Sequence, residues 1–310
     1  MFKKVRRICR EKLQALYNAC FNRPVGYIYM FHRVAPKDGA LPVIDELRVS
    51  PEYFKQFLID KKELGEFINL QQFVDIQNGK LKLSKPFHII TFDDGYEDNY
   101  TYAYPILKEL GIPFTIFVSA DLVNDHQTIW NYPLIIERIV RKNDELQLSN
   151  GMQLECRTIE EKNRAFGELK YWLLNLPYES MREDFKWTFE KYLTDDVFPN
   201  NTLSWEQLRE MASNPLCTIG SHTMSHCRLV MKNDDSLMHE LQDSKQILSD
   251  KLGVEIKYLS YPYGWITDVS NEAIAVAKKV GYNAGLRSFG GPVRRKDKDL
   301  FNIKRVIVTE

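Results

Sequence analysis

From Val25 onward the chain repeatedly sets a short run of β-branched and aromatic residues against a longer helical stretch, and this alternation constrains the fold more than any other feature. The runs are 25–32 (VGYIYMFH), 87–92 (FHIITF), 113–119 (PFTIFVS), 217–221 (CTIGS), 256–261 (IKYLSY), 282–286 (YNAGL) and 303–309 (IKRVIVT). Strands separated by helices pair in parallel through crossovers, so the pattern predicts an α/β fold with a parallel sheet rather than a sandwich. Helix starts are readable between the runs. Ser50-Pro51 pairs an N-cap with a first-turn proline, and Ser204-Trp205-Glu206-Gln207 has the form of a capping box. Asn233 to Leu252 reads as helix, and 271–280 ends on Gly281 as a helix C-terminus should. Residues 126 to about 203 break the alternation and read as an inserted layer of polar helices with few β-rich runs.

At 310 residues, 44% hydrophobic and 27% charged, the chain can bury a sizeable core without disulfide or metal staples. Its 42 basic and 42 acidic residues cancel, which excludes a general electrostatic attraction for nucleic acid or an anionic surface. Residues 1 to 23 are the exception. Seven basic side chains face Glu11 alone, a net +6, and Val5, Ile8, Cys9, Leu13, Leu16, Tyr17 and Cys20 fall on one stripe of a helix. The expectation is a basic amphipathic helix over 1–24, either packed on the following domain (25–310) or lying against the inner face of a membrane. No apolar run reaches the ~18 residues of a membrane span, and no secretory signal pattern opens the chain, so a cytoplasmic, possibly peripheral, protein is expected. Five cysteines without a C-x-x-C pair are read as reduced thiols.

The chemistry-bearing residues cluster where strands should end. Asp93 and Asp94 follow the 87–92 run, at the end of a strand where parallel β/α barrels build active sites; Asp-Gly is also ordinary turn chemistry. His222 and His226 follow the 217–221 run, and their spacing of four would put both imidazoles on one side of a helical turn, converging on one cation. A carboxylate and two imidazoles form a recurrent site for a divalent metal with open positions for water. Tyr261-Pro262-Tyr263-Gly264 follows a third run and reads either as a plain tight turn or as a rigid turn presenting a backbone N–H to an oxyanion.

Thr91-Phe92-Asp93-Asp94-Gly95-Tyr96, His222-x-x-x-His226 and Tyr261-Pro262-Tyr263-Gly264, in that order, resemble the motifs of the polysaccharide deacetylase family with its NodB-type catalytic domain. The resemblance covers Val25 to Glu310 apart from 126–203. It implies an irregular parallel β/α barrel of about seven strands, and a hydrolase that removes acetyl from an N-acetylated amino sugar of a polysaccharide or lipid-linked glycan. It further implies Asp94, His222 and His226 as ligands of a divalent metal, usually Zn2+, Asp93 as general base, the Tyr263 N–H as oxyanion donor, and Tyr96, Pro262 and Tyr263 beside the substrate. The family's usual C-terminal histidine acid is missing here. Met30-Phe31-His32-Arg33 resembles a branch in which that motif has moved to the N-terminal side, which makes His32 the expected acid. Where many members carry an arginine that orients the base, this chain has Tyr261, and Arg305 is the expected replacement. His88, His126 and His239 match no motif and are read as structural or exposed. Trp130 and Trp205 are read as core aromatics, with a sugar-stacking wall as the alternative. Rival functions are an O-acetyl esterase, a small-molecule amidohydrolase, or a non-catalytic carbohydrate-binding member.

Overall fold

The computed structural model describes residues 24–37, 47–124, 132–177, 180–197, 201–231 and 233–310. The expected helix over 1–24, apart from Pro24, lies outside the described residues, as do His126 and Trp130.

Seven parallel strands close into a barrel: β1 (Pro24–Phe31), β2 (Phe87–Phe92), β3 (Phe114–Val118), β4 (Cys217–Ser221), β5 (Tyr258–Ser260), β6 (Ala284–Gly290) and β7 (Ile303–Ile307). Each strand pairs with its neighbour in sequence, and β7 pairs back onto β1 through Tyr29↔Val306 and Met30↔Ile307. The closure is uneven. β1 and β2 are in register over six pairs from Gly26↔Phe87 to Phe31↔Phe92, whereas β4 and β5 meet at Leu259↔Ser221 alone and the β6–β7 register shifts between Leu286 and Gly290. All seven runs of the sequence are barrel strands, as the alternation predicts.

The pleat sends alternate side chains to opposite faces of each strand. Ile28, Ile89, Phe117, Tyr258, Leu286 and Ile303 share one buried cluster. Tyr29, Phe31, Ile90, Phe92, Ile116 and Ile219 belong to a second, together with Phe54, Leu58, Leu107, Leu208, Leu248 and Ala277 of the surrounding helices. With both faces covered, every residue of β2 is buried, which is why this strand reads as a mostly apolar run broken only by His88 and Thr91. The helix caps also match expectation. Ser50 accepts from the Tyr53 N–H ahead of helix Pro51–Leu64, Ser204 and Gln207 form a reciprocal capping box ahead of Trp205–Ser213, and Gly281 takes φ 85° after helix Asn271–Lys279. The helix read over 233–252 is present, but widens into a π segment at His239–Asp243 between Asp234–Met238 and Ser244–Leu252.

The insertion corrects its sequence reading. Besides helices Tyr132–Lys142, Ile159–Leu174 and Met181–Thr188 it contains an antiparallel hairpin, Glu145–Gln147 with Gln153–Glu155. Its apolar residues build a core of their own from Ile135, Ile136, Ile139, Phe166, Leu169 and Phe185, so the composition looked polar only because each helix exposes its other face. The chain leaves the insertion through 201–203, where the Glu97 N–H donates to the Asn201 carbonyl and the Leu203 N–H to the Gly95 carbonyl. The exit of the insertion is thereby tied to the turn that follows β2. Cys156, Cys217 and Cys227 are free thiols, and among the described residues no helix is long and apolar enough to cross a membrane.

Candidate active site

Two turns of the same form carry the acidic and aromatic residues of the site. After β2 the Gly95 N–H donates to the Asp93 carbonyl (3.0 Å), which folds Asp94 into a three-residue turn at φ 75°. After β5 the Gly264 N–H donates to the Pro262 carbonyl (2.6 Å), with Tyr263 at φ 58°. A γ-turn with positive φ is rare and strained for a residue bearing a Cβ. Glycine is required after Tyr263, because Gly264 sits at φ 65° and a Cβ there would lie 2.4 Å from Ser288 Oγ. The other two positive-φ residues other than glycine among the described residues are Thr223 (φ 67°) and His226 (φ 57°), so all four surround one point.

At that point stand Asp94, His222 and His226, with one ligand atom from each within 4.8 Å of the others. His222 Nε2 and His226 Nε2 each lie 3.3 Å from Asp94 Oδ1. His222 Nδ1 is 2.8 Å from the Ser260 carbonyl, which sets it as the protonated nitrogen and leaves the Nε2 lone pair facing Asp94. The helical turn expected from the spacing of the two histidines is not formed. His222 ends β4 and His226 lies in an irregular loop whose left-handed residues turn the second imidazole back onto the first, with ring centroids 4.7 Å apart. Asp94 is 1% exposed and neither carboxylate oxygen accepts a well-formed hydrogen bond. A buried charge in that condition is costly unless a cation joins it, so these residues fit a divalent metal. Burial pushes the Asp94 carboxyl up, but the two imidazoles outweigh it and hold the carboxyl below its ordinary range. Burial also lowers His226, which favours the neutral imidazole that ligates metals.

Asp93 is held apart from this triad. Arg305 from β7, itself wholly buried, grips it with both terminal nitrogens, Nη1 to Oδ1 at 2.7 Å and Nη2 to Oδ2 at 2.6 Å. The guanidinium is fixed in turn by the Arg287 carbonyl, Thr91 Oγ1 and Ser260 Oγ. Burial raises the Asp93 carboxyl, and Arg305 first, then His222, reverse the effect, so it is lowered overall. Arg305 is thus paired with Asp93, the residue it was expected to orient.

His32 follows β1 and is half-buried; its carbonyl accepts from Asn99 Nδ2 (2.9 Å), and its imidazole is close enough to favour the charged forms of Asp93 and Asp94. Next to it, Asp98 accepts from Arg33 Nε (2.7 Å) and the Val34 N–H, pinning the strand end. Tyr96 is buried, with the Arg33 guanidinium 5.3 Å from its ring centre, and Pro262 is buried as well. The Tyr263 ring is 36% exposed and meets the His226 ring edge-on at 5.0 Å. Trp205 packs against the main core, His239 is exposed against Asp243, and His88 lies on the outer wall next to Tyr29. Two residues that contact the site were not singled out in the sequence. Ser260 touches both Asp93 and Arg305 and orients His222, yet its only signal was its place at a strand end ahead of Tyr261-Pro262. Glu240 reaches the histidine loop from a helix and had no signal at all.

A model of the polysaccharide deacetylase family matches residues 80–285, two thirds of the chain. The chain belongs to the polysaccharide deacetylase family. Among curated proteins of that kind it is 25% identical over 228 residues to YxkH of Bacillus subtilis (strain 168), whose name places it among polysaccharide deacetylases. That match takes in 74% of this chain and 53% of the relative, so the chain spans about half the length of the curated protein it matches. Solved structures share the deacetylase fold at low identity. The Streptococcus pyogenes deacetylase PplD, solved in complex with acetate, superposes with a TM-score of 0.61 at 19% identity, covering 93% of this chain and 94% of its own. IcaB from Ammonifex degensii gives 0.59 at 20%, covering 93% of each chain. A de-N-acetylase from Aggregatibacter actinomycetemcomitans gives 0.56 at 18%, covering 91% and 94%.

Proposed function

We propose that the protein is a zinc-dependent N-deacetylase that hydrolyses the acetamide of an N-acetylated amino sugar in a polysaccharide or lipid-linked glycan, releasing acetate. The observation that carries this reading is the division of labour between adjacent carboxylates, with Asp94 turned to two imidazoles and Asp93 turned to a buried guanidinium. Zinc suits the donor set of one carboxylate oxygen and two imidazole nitrogens. Four-coordinate bonds of about 2.0–2.1 Å separate ligand atoms by roughly 3.3 Å, and both Nε2–Oδ1 distances are 3.3 Å.

When bound, the cation supplies Lewis acidity to a water and to the acetyl carbonyl. Asp93 removes a proton from the attacking water, its carboxylate kept ionised and correctly oriented by Arg305. The Tyr263 N–H, which donates to no group among the described residues, stands at the strained turn for the oxyanion that develops on the carbonyl. His32, at the end of the strand next to that of Asp93, protonates the leaving nitrogen.

The test is acetate release from N-acetylated glycans by zinc-loaded protein. Expected is release that a chelator abolishes and that Asp93→Asn lowers by roughly 100-fold or more. Release from O-acetylated but not N-acetylated substrates would replace the amide reading with an ester one, and zinc bound without turnover on a broad glycan panel would favour a binding module.

A further inference from the structure

The loop between the two histidine ligands cannot hold its shape by local preference. Thr223 and His226 both occupy the left-handed region, which is unfavourable for residues bearing a Cβ, and such residues persist only where surroundings over-determine them. Part of the restraint is local. The Thr223 N–H donates to Ser221 Oγ, and the His226 N–H donates to Thr223 Oγ1. On one side the Met224 carbonyl accepts from the Asp121 N–H and Ser119 Oγ. On the other side stands a single buried carboxylate, Glu240. Its Oε2 accepts from the Met224 N–H (3.1 Å) and the Ser225 N–H (3.0 Å), and its Oε1 accepts from Ser225 Oγ (2.6 Å).

A residue reaching this loop from a regular helix would be an accident of packing, but Glu240 sits in the π segment of the 234–252 helix, and π widenings concentrate at functional sites. The widening is anchored by its own contacts. The Leu241 carbonyl takes hydrogen bonds from Tyr282 Oη and Ser244 Oγ, and Ser244 Oγ lies 2.9 Å from Ser221 Oγ at the end of β4. One buried network therefore joins the π segment to the start and the middle of the histidine loop.

We propose that Glu240 is a positioning residue for the metal site: by binding the two central amides of the His222–His226 loop it holds His226 in the ligating geometry before any cation arrives. The inference rests on the reading of the triad as a metal site. Its substitutions alter neither a ligand nor a group that meets substrate. A Gln could keep this pattern, its oxygen taking both amides and its NH2 donating to Ser225 Oγ, whereas Glu240→Leu keeps the approximate volume and removes all three bonds.

Zinc titration of the full chain, with amide hydrogen exchange on the metal-free form, tests it. Expected for Glu240→Leu is a zinc Kd raised about 10–100-fold, the usual scale for groups that support metal ligands. In metal-free protein, exchange at Met224 and Ser225 should be roughly 10-fold faster or more, with the barrel strands unchanged. Ser225→Ala, which removes the hydroxyl bonded to Glu240 Oε1, should raise the Kd by a few-fold and serves as the deciding variant if Glu240→Leu does not fold. Wild-type zinc affinity in whichever variant decides, or exchange accelerated equally throughout the protein, would overturn the positioning role. Failure of the wild-type chain itself to bind zinc would overturn the metal reading together with it.

Discussion

The rim at the carboxyl ends of the strands and the 132–197 insertion obey opposite rules. The rim contains every non-glycine residue with positive φ among the described residues, a buried carboxylate without a donor, and a wholly buried ion pair. Among its described residues the insertion turns only Gly151 to positive φ, caps its long helix with a reciprocal Thr158–Glu161 box, and fills its centre with Ile, Leu and Phe. The insertion is therefore close to what folding alone would select. The rim carries unfavourable local choices that make sense only if something outside the chain completes them.

Substitutions that separate the two should show distinct signatures. Asp94→Asn is expected to weaken zinc binding by about 100-fold or more, with a fall in metal-free melting temperature that is small beside it, because the carboxamide oxygen can still face the two imidazoles. A matching fall in metal-free stability would mean that Asp94 serves the fold instead. Arg305→Met should cost about 3–5 kcal/mol in urea denaturation, because Asp93 is left buried without its counter-charge; a neutral result would break the account of the ion pair. Phe166→Ala, at the centre of the insertion core, should cost a similar ~3–5 kcal/mol but leave zinc affinity within about twofold. Loss of zinc binding in that variant would show that the insertion and the rim act as one unit.

The smallest effect belongs to a third setting, the outer wall. There His88 is buried next to Tyr29, and burial, aided by Lys61, lowers its pKa from 6.5 to about 4. Between these values the unfolded chain binds a proton that the folded one excludes, so stability falls as pH drops from 6.5, with the loss complete below about 4. His88→Phe should flatten that part of the pH–stability curve, measured as urea midpoints at neutral and mildly acidic pH. An unchanged slope would assign the acid sensitivity to other groups.

What could be read in advance divides along the same line. All seven barrel strands were legible because burial on both faces leaves runs of Val, Ile, Phe and Tyr that survive in one dimension. Asp93, Asp94, His222 and His226 were legible because they interrupt those runs at strand ends. The helical turn between the histidines was misread because a spacing of four fits a helix, while the left-handed φ of Thr223 and His226 leaves no mark in residues of those types. Glu240 and Ser260 were invisible for a different reason. Each acts through hydrogen bonds to residues distant in sequence, and neither side chain is unusual for its element. The hairpin of the insertion, with only Leu146 buried among its Glu145–Gln147 residues, gave too short a pattern to register.

The bridge from Arg305 to Asp93 spans 212 positions of sequence. A ribosome that has already delivered Asp93, Asp94, His222 and His226 has still to make the strand that carries Arg305 to Asp93 and pairs with β1. Until β7 docks, the Asp93 carboxylate lacks that counter-charge and β1 lacks its parallel partner on that side. Closing the barrel and neutralising the buried carboxylate are thus one event in assembly, since the same strand does both.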